Sequence, residues 1–82
     1  MWCQASADNG AETTVYYSAF FSAQSYEAVA KAGKFKAEAA EAEESAATVT
    51  AKCTAAAGYD QAVAGRNAAM KAAPGTVIDW AG

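Results

Sequence analysis

Leucine is absent from this sequence, and isoleucine occurs once, at Ile78. Five valines, two methionines and nine aromatic residues therefore carry most of the bulky apolar content, with alanine supplying the rest. Burying a large side chain contributes roughly 1.5–3 kcal/mol, and an alanine methyl far less. Ordering each residue costs about 1.5 kcal/mol. A chain of 82 residues forms one domain at most, and a core of this kind needs help from a disulfide, a partner or very close helix packing.

Histidine is absent too. That removes the side chain that most often works as a general base near neutral pH. It also leaves Cys3 and Cys53 without an imidazole for a thiol–imidazole pair, and a zinc site of the usual composition is excluded. No glycine-rich phosphate loop is present, since Gly65 stands alone and neither GxGxxG nor GxxxxGK followed by Ser or Thr occurs. Glu38, Glu41 and Glu44 share an i,i+3 flank, but nothing nearby offers the further oxygen ligands that calcium takes, so they read as a solvated acidic face. The expectation is a protein that is not an enzyme, with no catalytic residue, no cofactor and no metal.

Bases are scarce: six against nine acids, for a net charge of −3. Only Lys31, Lys34 and Lys36 cluster; Lys52, Arg66 and Lys71 are dispersed. Nucleic acid and anionic membrane surfaces are disfavoured as partners. The longest uncharged run, residues 13 to 26, is shorter than the roughly 20 apolar residues a spanning helix needs and is broken by serines and Gln24. The chain reads as not membrane-spanning, with peripheral membrane association left open. Its first residues show no signal-peptide pattern, although a cleaved targeting peptide is compatible with what is given.

Two cysteines without a CxxC spacing leave a disulfide or two free thiols. Cys3–Cys53 is the disulfide candidate, worth roughly 4 kcal/mol by chain entropy. If it forms, an organellar lumen or stroma, or an extracellular setting, is favoured over the cytosol.

Alanine, lysine and glutamate dominate the centre of the chain, and all favour helix. The spacing predicts an all-α fold: an alanine-rich helical hairpin, a short third helix and an extended C-terminal tail. Residues 1–9 read as irregular. Asn9 and Glu12 have capping-box spacing, opening a helix over about 11–32 whose face is Val15, Ala19, Ser22, Tyr26, Val29 and Gly33. A strand over 13–21 is the minor alternative, from its β-branched and aromatic content. A second helix over 34–57 follows a seam of Phe35, Ala39, Ala42, Ala46, Val49, Cys53 and Ala56, with Glu38, Glu41, Glu43 and Glu44 toward solvent. Gly58 is placed as a left-handed C-terminal cap and Asp60 as an N-cap. A third helix over 60–73 stops at Pro74-Gly75, and 74–82 forms the tail. Ser25-Tyr26-Glu27-Ala28-Val29-Ala30 faintly echoes the segment from Gly58 to Ala64, too weakly among so many alanines to count as a repeat.

A helix without a charged face is normally surrounded by protein or lipid. The aromatic residues Tyr16, Tyr17, Phe20, Phe21 and Tyr26 are therefore the expected partner-binding surface, joined by Trp2 and Trp80 as anchors near the two ends. The function expected is a non-enzymatic accessory or structural subunit docking on a larger assembly through an aromatic helix face. Its partners are other protein subunits, for example in a respiratory or photosynthetic membrane complex of an organelle. One alternative is a self-assembling helical filament subunit. Another is ice binding: in composition alone the chain resembles the alanine-rich helical antifreeze proteins, without their eleven-residue threonine spacing.

Overall fold

The computed structural model describes residues 1–43 and 48–82. Its architecture is α/β, a four-stranded mixed sheet between two helices, and this overturns the all-α hairpin. Strand β1 (Trp2–Asp8) turns into β2 (Thr13–Ser18); a short 3-10 turn (Ser25–Glu27) leads into α1 (Ala28–Ala42); β3 (Thr48–Thr54), α2 (Tyr59–Ala72) and β4 (Thr76–Ile78) follow. Across the sheet the order is β3-β1-β2-β4. β1 pairs antiparallel with both β2 and β3, and β4 lies parallel to β2.

The segments expected to be irregular or helical become strands for identifiable reasons. β2 reads Thr-Thr-Val-Tyr-Tyr-Ser, a β-branched and aromatic run whose crowded side chains fit a pleated surface better than a helix; the strand alternative holds for 13–18. In β3, Val49, Ala51 and Cys53 alternate with Thr48, Thr50, Lys52 and Thr54, a period of two. The seven-residue seam therefore breaks. Phe35 and Ala39 are buried on α1, whereas Val49 and Cys53 belong to a strand. Ala46 and Glu44 lie outside the described residues.

The expected caps also change place. Asn9 and Glu12 build the β1–β2 hairpin loop, where the Asn9 Oδ1 accepts from the amides of Ala11 and Glu12 at 3.0 and 2.9 Å. Gly10 supplies the positive φ of +88° that this turn requires. Gly58 is extended, at φ −155°, and precedes α2 as its N-cap instead of closing a helix; Asp60 falls in the first turn. The third helix stands, as α2, and Pro74-Gly75 follows it. The tail is extended as expected and pairs with β2 as β4.

Register separates the two faces. Cys3, Ala5, Ala7, Tyr16 and Val49 form a buried cluster with Phe35 and Ala39 of α1. On the opposite face Trp2 and Tyr17 pack against Ala62 of α2, with Val15, Phe20, Ala69 and Met70 around them. The connection from β2 to β3 thus crosses one face through α1. The return from β3 to β4 crosses the other through α2, so both parallel crossovers turn with the same hand.

Candidate functional site

The seven aromatic residues expected to meet a partner divide sharply. Trp2, Tyr16 and Tyr17 are buried. Tyr17 is fully enclosed, and its hydroxyl donates to the carbonyl of Ala69 at 3.0 Å and to that of Ala73, tying the end of α2 to the sheet. Burial pushes the Tyr17 phenol above its ordinary value of 10.0. Tyr16 donates to Glu43 Oε2 at 3.4 Å. Phe20, Phe21 and Trp80 are half-buried. The Trp80 ring packs on Phe21 and Phe35 with centroids 5.4 and 5.2 Å away. Phe20 receives the edge of Tyr59 at 5.3 Å and carries the Arg66 guanidinium at 4.1 Å from its centroid, while Arg66 Nη1 donates to Ser18 O at 2.8 Å. Only Tyr26 of the seven is open to solvent, at 84% exposure. Among the described residues these aromatics form no helix face, because most of them lie on strands or in the loop after β2.

Cys3 and Cys53 are bonded, with Cα atoms 4.0 Å apart. They are direct partners in the β1–β3 ladder, so the sheet and not a helical hairpin brings them together. The faint sequence echo falls at the starts of the two helical segments. Tyr26 and Tyr59 occupy matching places after β2 and β3, and both are exposed.

Among the described residues, two open surfaces bear on docking. One is a crevice of about 560 Å³ beyond the carboxyl ends of β2 and β3, with Phe20, Phe21, Gln24, Glu27 and Tyr59 among its walls. The other runs along β3. That strand is at the sheet edge, is seven residues long, and contains no proline and a single charge, Lys52. In an antiparallel ladder, closely spaced partners are the non-hydrogen-bonded pairs, with Cα atoms about 4.5 Å apart. The 4.0 Å spacing of Cys3 and Cys53 makes theirs such a pair, and the Cys3 amide correspondingly turns the other way, to Ser18 Oγ at 2.7 Å. The N–H and C=O of Cys53 then point away from β1, and alternation sends those of Ala51 and Val49 outward as well. Beside this row lies a groove of about 330 Å³ between α1 and β3, lined by Ala28, Val29, Ala32, Gly33, Lys36, Ala51, Lys52 and Cys53.

Sequence reasoning missed this edge, although the alternating β-branched pattern of 48–54 was the available signal. Among the described residues, no helix is long and apolar enough to cross a membrane, and no group of three or more Cys, Asp or Glu is placed to hold a metal ion. No protein-family model, curated protein or solved structure matches the chain.

Proposed function

We propose that this chain is a non-enzymatic interaction module, an accessory or structural subunit that docks on other protein subunits by adding a strand to its β3 edge. The supporting observation is the outward row of amides and carbonyls on Val49, Ala51 and Cys53, at the open side of a seven-residue strand. Long unprotected edges invite pairing and are ordinarily shielded by charge, proline, bulges or a covering segment. Strand addition uses such a row for affinity and a neighbouring groove for selectivity, and the α1–β3 groove is in place for that. The Cys3–Cys53 disulfide favours an organellar lumen or an extracellular setting over the cytosol.

Proline at position 51 tests this reading. It removes an outward N–H without touching the β1–β3 ladder, and edge strands tolerate it there. Native mass measurement of the source extract is expected to place the wild-type chain in a heteromeric complex and the Ala51→Pro chain outside it, with unchanged circular dichroism. A complex that keeps the variant would remove β3 as the docking edge. Open edges at both β3 and β4 also favour a second reading, a head-to-tail filament, and a homopolymer in the same measurement would select it.

A further inference from the structure

Charge is unevenly spread along the β3 edge: Lys36 and Lys52 lie beside Ala51 and Cys53, while Asp8 pairs with Thr48 at the other end. The chain carries nine acids and six bases, yet among the described residues the α1–β3 groove is lined by Lys36 and Lys52 and by no acid. The opposite face of the same edge shows Gln4, Ser6, Thr50, Ala51 and Lys52, and Asp8 lies further along that face as the ladder partner of Thr48. Lys36 stands on the α1 side of the edge; Lys52 borders both surfaces, and strand alternation aims its side chain to the other. Both side chains are exposed. The groove floor is built from Ala32, Gly33, Ala51 and Cys53, and a side chain at Gly33 would meet nothing within 4 Å.

We propose that the occupant of this edge is an extended acidic segment of another protein. It pairs with β3, places small apolar side chains in the α1 groove, whose rim carries Lys36, and sets carboxylates against Lys52 on the opposite face. This rests on the reading of β3 as the docking edge and names its partner by chemistry. The outward groups of Val49, Ala51 and Cys53 supply the backbone pairing. Residues alternate faces along an added strand, so every second side chain of the partner enters the α1 groove and the others pass Lys52. A second copy of this chain is the weaker occupant. Pairing two β3 edges brings Lys36 and Lys52 of both copies together, four ammonium groups with no carboxylate among the described residues that line the grooves.

The test uses the oxidised chain, isotopically labelled, and two capped seven-residue probe peptides, one alternating valine with glutamate and the other valine with lysine. The glutamate peptide is expected to shift the amide resonances of Val49, Ala51 and Cys53 and to bind at least tenfold tighter than the lysine peptide. That preference should shrink as salt screens it, invert in the Lys36→Glu, Lys52→Glu double variant, and vanish with all binding in Ala51→Pro. Equal binding of both peptides at these amides would overturn the acidic partner while leaving the docking edge in place. Absence of binding by either peptide would overturn the acidic partner as well, and the Ala51→Pro result in the native complex then decides separately whether the edge docks anything. Concentration-dependent shifts of the same amides without peptide would make the second copy the occupant and overturn the proposal.

Discussion

Tyr17 shows how much one side chain can hold in a chain without leucine. Its ring fills the space under α2 beside Trp2, with ring centroids 6.5 Å apart, and its hydroxyl serves carbonyls at the end of that helix. Because burial raises the Tyr17 pKa, the unfolded chain loses the phenolic proton first as pH rises. Stability from this group is present in full below about pH 10 and falls above it. Tyr17→Phe is expected to lower stability at pH 7 by about 1–2 kcal/mol through the lost hydrogen bonds. The variant should also show a shallower decline above pH 10 in denaturant titrations. An equal decline in both proteins would mean that Tyr17 does not carry the alkaline sensitivity.

Gly75 is the other residue whose identity is dictated by its surroundings. A Cβ there would run into the backbone carbonyl of Val15, which cannot swing aside as a side-chain tip can. Gly75→Ala must therefore move the start of β4 away from β2. Overpacking of this sort typically costs about 1–3 kcal/mol. A thermal melt is expected to drop by several degrees, with exchange of the β4 amides rising more than that of β1; an unchanged melt would show that the tail yields freely.

At the level of elements, α1 contains a weakness that does nothing for packing. Gly33 is exposed within the helix and its absent Cβ faces open space. Gly33→Ala should raise stability by roughly 0.5–1 kcal/mol, measured by urea unfolding. A loss instead would mean that the added methyl meets an obstacle within the chain itself. The same element shows what could be read from the sequence. The alanine, lysine and glutamate run over 34–42 is helical, and α2 lies within a residue or so of its expected span. Each of these segments reports its state through local propensity alone. β1 and β3 do not, because Trp-Cys-Gln-Ala-Ser-Ala-Asp and Thr-Val-Thr-Ala-Lys-Cys-Thr are rich in small residues and take strand form by pairing with each other. Val49 and Cys53, four apart, satisfy a helical seam and a strand face equally well, and alanine on either side removes the contrast that would separate the two periods. The same ambiguity hid the candidate docking edge, while the aromatic residues that stood out in the sequence are mostly occupied in the core.

For the whole molecule, the disulfide supplies what the small core lacks. It closes a separation of 50 residues between the central strand and the β3 edge strand. Its chain-entropy contribution is roughly 4 kcal/mol, comparable with the entire stability of a small domain, about 5–15 kcal/mol. Cys3 is fully buried and belongs to the α1-side core with Ala5, Ala7 and Phe35. Cys53 is only half-buried and borders the groove. Reduction leaves β3 tied to β1 by the ladder hydrogen bonds without the covalent link. The reduced chain, and equally the Cys3→Ala, Cys53→Ala double variant, is expected to lose about 4 kcal/mol in urea unfolding and to bind the glutamate probe peptide more weakly than the oxidised chain. Amide exchange should rise first at Val49, Ala51 and Cys53 and last at Tyr17, which α2 holds on the opposite face. A reduced protein that melts as cooperatively and at the same temperature as the oxidised one would show that the helices and aromatic clusters suffice without the bond. Weakened peptide binding with unchanged melting would place the effect of the disulfide on the order of the β3 edge alone.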